Sequence, residues 1–244
     1  MEGYLTALAL AALPALGNFA GGLLSEFFNV TQRALSFALH AAAGIILGVI
    51  AVELIPESLR AATPWIVILA FAAGGAFFIA IDAILGVVQK RIGSPEADSA
   101  GAWAIFFGVA VDLFSDGVII GTASTIDFKM GLLLALAQVP ADIPEGFATI
   151  ANFKAQGVAR GRRLLLGGLF TVPILVGTTV GYWAVREQPE IYKLALLAFT
   201  AGILLTVAIE EMIPEAHKGG DARWATGFLV GGFALFALLA TYFG

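Results

Sequence analysis

The sequence contains no cysteine and only two histidines in 244 residues. A disulfide framework and thiolate metal sites are therefore excluded. Charge is scarce too, at 13% of residues, against about 25% in a soluble domain. The formal net charge of −5 has the wrong sign for a nucleic-acid binder, and the low charge excludes a disordered chain. What fills the sequence is hydrophobic, 59% of it, well above the roughly 45–50% of a soluble domain. This is the composition of an integral membrane protein.

A spanning helix needs about 20 mostly apolar residues. Uncharged stretches of that kind run from Gly3 to Ser25, Ala34 to Val52, Ala61 to Ile81, Leu164 to Val185 and Trp224 to Gly244, with a sixth from Leu194 to Ile209. Two more emerge once acids are allowed inside a span. The pattern predicts an all-α membrane protein, one transmembrane domain over 1–244, with helices 1 to 8 at about 3–25, 34–59, 63–88, 101–126, 129–154, 162–185, 190–217 and 222–243. Long apolar runs without alternation exclude a barrel. The longest polar stretch, Lys90–Ser99, carries the Gly, Pro and Ser of a linker. The first residues lack the basic region of a signal peptide, so helix 1 is expected to be retained.

Basic residues set an orientation. Arg33, Lys90, Arg91, Lys154, Arg160, Arg162, Arg163, Lys218 and Arg223 follow the odd-numbered helices, whereas Arg60, Lys129, Arg186 and Lys193 follow the even-numbered ones. The positive-inside rule then puts the first group in the cytoplasm and both termini outside.

The acids are where they ought not to be. Asp112 and Asp116 fall near the middle of helix 4, and Asp142 and Glu145 near the middle of helix 5. At the helical rise all four share a depth about 15–24 Å from the outer helix ends. Spacings of four and three residues put each pair on one helical face. Carboxylates at such depth must face a protein interior or a water path, and no Lys or Arg at that depth balances them. A cation, or protons exchanged for one, is the expected partner. Pro140 and Pro144 stand beside them and predict a helix break lining the ion, since each proline frees a carbonyl one turn earlier. Pro173, with no acid near, predicts a simple kink.

An internal echo accompanies the acids. Glu53-Leu-Ile-Pro-Glu57 in helix 2 matches Glu211-Met-Ile-Pro-Glu215 in helix 7, and Asp112 to Gly117 weakly matches Ala141 to Gly146. Helices 2 and 7 are each second in a group of three flanking helices 4 and 5. This is the pattern of an inverted 3+2+3 repeat, a plan that places a transport site at the repeat interface.

With these motifs the sequence resembles the ZIP (Zrt/Irt-like) metal transporters, in particular their bacterial GufA-like branch, over all eight helices. The resemblance implies a central metal site held by Asp112, Asp116, Asp142 and Glu145, with the metal as transported substrate and no prosthetic group. It also implies alternating access, with helices 1, 4, 5 and 6 moving against 2, 3, 7 and 8, and a homodimer in the lipid bilayer. The sequence departs from the family pattern at Leu113, Ala141 and Val172, where the family carries an Asn, a His or Gln, and a Glu. Asp112 takes the place of the family's helix 4 His, so with Ala141 both imidazole positions are lost. An all-oxygen site follows, to which Gln138 and Ser115 are candidate auxiliaries. Oxygen sites suit Mn²⁺ and Mg²⁺, whereas zinc favours Cys and His, so selectivity is expected to shift toward Mn²⁺ or Fe²⁺. The histidine-rich loop that the family carries between helices 3 and 4 is absent.

The remaining acids sketch a path, with Glu53 and Glu57 toward the outside and Asp82, Glu210, Glu211, Glu215 and His217 toward the inside. Arg60 is placed to pair with Glu57. His40 is read as structural, and a surface role stays open for His217. Glycines at Gly44/Gly48, Gly117/Gly121 and Gly227/Gly231 are expected to let helices pack closely. Two other classes stay open, a proton- or sodium-coupled solute carrier and a non-transporting sensor or scaffold. No nucleophile–base pair suggests an enzyme. Sorted by place, ten of the eighteen acids lie within or at the ends of the predicted spans, while the bases sit in the loops.

Overall fold

A computed structural model describes residues 2–29, 31–92, 98–217 and 222–243. These residues form eight helical rods and, among them, no strand. The rods are α1 (Glu2–Phe27), α2 (Gln32–Ser58), α3 (Pro64–Ile92), α4 (Asp98–Ala123), α5 (Phe128–Ala155), α6 (Arg160–Val185), α7 (Glu190–His217) and α8 (Ala222–Phe243). Seven contain stretches long and apolar enough to cross a membrane; α5, which carries Asp142 and Glu145, does not meet that measure. The linker expected over Lys90–Ser99 shrinks, because α3 and α4 extend into it from both sides; residues 93–97 and Lys218 lie outside the described residues.

Local chemistry sets the rod ends. The Thr31 hydroxyl accepts the Ala34 N–H at 3.2 Å and the Asp127 carboxylate accepts the Lys129 N–H at 3.2 Å, each relieving an orphan donor of a first helical turn. Gly157, with φ +76°, turns the chain after α5 in the left-handed conformation that glycine adopts freely. Pro173 has no N–H for the carbonyl of Leu169, and α6 is interrupted there at Phe170, as a kink requires.

The prolines of α5 behave differently from the expectation. The helix runs uninterrupted through Pro140 and Pro144, so no ion-lining break forms there. The neighbouring α1 lies directly along this stretch, with Gly17 against Val139 and Gly21 against Ile143. Irregularity appears instead in the two repeated motifs. Residues Val49–Leu54 of α2 and Ala208–Met212 of α7 form π-helical turns, in which the Ile55 N–H donates to the Ile50 carbonyl and the Ile213 N–H to the Ala208 carbonyl. Pro56 and Pro214 stand two residues beyond these segments. The echo in sequence is thus an echo in backbone geometry.

Packing follows the same symmetry. The densest contacts pair α1 with α5, α4 with α6, α2 with α8 and α3 with α7. Exchanging α1–α3 for α6–α8 and α4 for α5 maps this set of pairs onto itself. Each pair is sealed by glycines that meet a facing carbonyl: Gly21 at Ile143, Gly117 at Ile174, Gly44 at Leu229 and Gly74 at Phe199, where an added methyl would collide. Without a hydrophobic drive between helices in lipid, such backbone contact is what holds them. The expected role of Gly227 and Gly231 does not hold, because a methyl on either would meet nothing within 4 Å. Gly232, rotated by one residue, faces the Ala41 carbonyl instead.

At the α1 end, the Glu26 side chain is 3% exposed and receives a two-pronged contact from Arg163, with Nη2 to Oε2 at 2.8 Å. Arg163 also donates to the Val158 carbonyl. One guanidinium thereby ties α1, the α5–α6 turn and α6 together.

Candidate functional site

Helices α4 and α5 bring the four mid-span acids together. Asp112, Asp116 and Asp142 are 2–3% exposed, and Glu145 is half-buried. Asp116 lies within electrostatic reach of Asp112 and Asp142, and Glu145 within reach of all three. Among the described residues no Lys or Arg forms an ion pair with any of them. Anions gathered this way in a dry interior repel one another and cost free energy unless a cation or protons compensate them.

Gln138, one turn before Asp142, completes the group. Its Nε2 donates to Asp116 Oδ1 at 2.6 Å, which orients the amide and leaves its oxygen as an acceptor. That oxygen, Gln138 Oε1, is buried without a hydrogen-bond partner, as are Asp112 Oδ1 and Asp142 Oδ2. Buried polar atoms are nearly always paired, so three orphan acceptors in one cluster call for a donor or a cation. Among the described residues, however, no three acidic or imidazole side chains converge as a ready-made metal cage.

Ser115 is placed otherwise. Its hydroxyl donates to the Val111 carbonyl of its own helix at 2.9 Å, and its side chain lines an apolar cavity behind α4. Leu113 and Ala141 are buried in apolar clusters. Val172 is 53% exposed on the outside of the bundle, away from the acids.

The inner acids divide. Glu211 reaches the central group: its carboxylate lies over Gly108 of α4, and it interacts with Asp112, Glu145 and Asp82. Glu210 and Asp82 are exposed and Glu215 is half-buried. His217 is exposed, yet its ring meets that of buried His40 edge-on at 4.9 Å. Each ring holds its own helix through Nδ1, His40 to Ser36 O at 2.8 Å and His217 to Ile213 O at 2.7 Å. At the other end, Glu57 pairs with Arg60 at 2.8 Å as expected, while Glu53 is half-buried beside Glu57.

One residue escaped the sequence reading. Asn18 of α1 is 1% exposed, its carbonyl abuts Gly146, and its Nδ2 has no partner. The signal was available: a lone amide in the middle of an otherwise apolar span.

Comparison with known proteins bears on this arrangement. A family model described as "ZIP Zinc transporter" matches residues 89–240, the segment holding α4 to α7. The chain is similar to the "Zinc transporter ZupT" of Chlorobium phaeovibrioides, 27% identical over 95% of this chain and 96% of that protein. It is also 26% identical to the "Zinc transporter ZIP6" of Homo sapiens over 63% of this chain. To the "Zinc transporter ZIP4" of Homo sapiens it is 29% identical over 57% of this chain. The matches span 22% of the length of ZIP6 and of ZIP4.

Proposed function

Because the chain belongs to the ZIP zinc transporter family, we propose that it carries a divalent metal cation through the membrane toward the cytoplasm, past the carboxylates of α4 and α5. The observation that carries this reading is the cluster of buried, unpartnered oxygens on Asp112, Asp142 and Gln138, set among four acids that no Lys or Arg of the described residues pairs with. A dication supplies what those oxygens lack, and its entry displaces protons from the carboxyl groups. Asp112, Asp116, Asp142 and Glu145 hold the metal, with Gln138 as a neutral partner. Glu53 and Glu57 lead in from outside. Glu211 takes the ion from the centre toward Asp82, Glu210, Glu215 and His217.

In this reading all eight rods cross the bilayer, α5 included, with both termini outside. The acids of α5 exclude it on hydropathy alone, but they are sheltered by α1 and α4 rather than by lipid. In the same reading the pairs α1–α5 and α4–α6 move as one body against α2–α8 and α3–α7 to give alternating access in a homodimer. An all-oxygen ligand set favours Mn²⁺ or Fe²⁺ over zinc.

Uptake by proteoliposomes tests the site. Asp116→Ala and Glu145→Ala are expected to abolish metal uptake while leaving the helical content and the unfolding transition intact; unchanged uptake in either refutes the assignment. Zinc flux far above that of Mn²⁺ and Fe²⁺ refutes the selectivity.

A further inference from the structure

Behind the carboxylate helix lies a cavity of about 490 Å³, where α3 and α7 meet α4 and α6, within the ~300–1,000 Å³ typical of small-molecule sites. Its α4 wall includes Ala110 and Ser115 at its edges and centres on Phe107, Val111, Phe114 and Val118. At about 100° per residue these project from the side of α4 opposite Asp112 and Asp116. The polar side chains in the wall are Ser115 and Thr200, and both hydroxyls turn back onto their own helices, to Val111 O at 2.9 Å and to Leu197 O at 2.9 Å. The wall thus offers an occupant no free hydroxyl donor and no charge. Water in a cavity needs two to four polar partners, so this one is built for hydrocarbon.

The mouth says which hydrocarbon. Phe77, Phe107 and Val180 border the cavity and are 46%, 50% and 46% exposed. They lie on α3, α4 and α6 within the stretches apolar enough to cross a membrane, Phe107 standing about 7.5 Å along α4 from Asp112 at the helical rise. An opening at that depth meets the acyl-chain region of a bilayer rather than water. We propose that this cavity binds an acyl chain of a membrane lipid, inserted between the α3–α7 pair and the α4–α6 pair. The chain packs on the back of the helix whose front carries Asp112 and Asp116, so the occupant and the carboxylate site share one rod.

Photocrosslinking tests this without reference to transport, so its failure and that of the metal reading are distinguishable. The protein is reconstituted in phosphatidylcholine liposomes doped with phosphatidylcholine bearing a mid-chain diazirine, and adducts are mapped by mass spectrometry. Adducts are expected to concentrate on Phe77, Phe107 and Phe114 and to fall severalfold in Ala110→Phe, which fills the cavity from α4. Val180→Phe at the half-exposed mouth is expected to act the same way and keeps the test intact where Ala110→Phe does not fold. Adducts on Trp224 and Leu238, exposed on α8, are expected to stay unchanged in both. Labelling spread evenly over the exposed apolar faces, or cavity labelling indifferent to both substitutions, overturns the proposal. So does efficient disulfide dimerisation of Phe107→Cys, the only thiol in such a chain, because that outcome assigns the mouth to a second copy.

Discussion

Replacing Gln138 by Ala removes one hydrogen bond and one acceptor oxygen while leaving every carboxylate in place. With a metal bound as proposed, Asp116 is an anion, and the 2.6 Å contact from Gln138 Nε2 becomes a charge-assisted hydrogen bond in a buried setting. Such bonds contribute about 1.5–3 kcal/mol. At about 1.4 kcal/mol per tenfold in affinity, losing it weakens metal binding by roughly 10- to 100-fold. That is also the size of effect seen when groups orienting metal ligands are removed. Calorimetric titration of the detergent-solubilised protein with Mn²⁺, beside the concentration dependence of uptake into proteoliposomes, measures both the affinity and its kinetic consequence. Gln138→Asn, whose shorter amide does not span the same gap, is expected to resemble Gln138→Ala. An affinity within twofold of the unaltered protein in Gln138→Ala, in a preparation where Asp116→Ala abolishes binding, would mean that the amide neither orients Asp116 nor contacts the ion.

The glycine seals give a paired comparison on one interface. Gly44→Ala drives a methyl into the Leu229 carbonyl, whereas Gly227→Ala on the partner helix meets nothing within 4 Å; thermal unfolding is expected to register a loss of about 1–3 kcal/mol for the first and essentially none for the second, and equal midpoints refute the α2–α8 contact. Arg163→Ala leaves the Glu26 carboxylate, whose side chain is 3% exposed, without its main partner. Breaking such a pair costs about 3–5 kcal/mol, eased here by Arg160 at 3.6 Å. The double change Glu26→Gln with Arg163→Ala is expected to recover part of that loss in the same unfolding assay, and a double variant no more stable than the single one counts against a buried ion pair.

How far the sequence carried depended on the kind of signal. Apolar run length located the rods to within a few residues, because the cost of exposing backbone to lipid leaves helices little freedom in where they end. The depth of Asp112, Asp116, Asp142 and Glu145 needed only the helical rise. What chain order does not encode is lateral contact. Nothing in the sequence says that Glu211 swings over Gly108 into the central group, that His217 meets His40, or that Ser115 turns toward an apolar cavity while Gln138 turns toward Asp116. The prolines mislead for a related reason. A missing donor permits a break without demanding one: α5 runs on through Pro140 and Pro144 with α1 packed along it, whereas α2 and α7 depart from α geometry in segments that end two residues before Pro56 and Pro214. The same limit applies to Gly227 and Gly231, whose spacing matched a packing motif on a face of α8 that no helix covers.

A π turn is an α-helix with one residue to spare. Each residue of an α-helix turns the chain by about 100°, so the extra residue in Val49–Leu54 of α2, and the one in Ala208–Met212 of α7, shift the angular phase of everything beyond them. A helical wheel drawn straight through either segment therefore misassigns the far end, rotating Glu57 or Glu215 onto faces they do not occupy. For both helices the repeated Glu-x-Ile-Pro-Glu motif therefore sits at a seam of helical phase, so the directions its acids take cannot be read from the residues before Val49 or before Ala208.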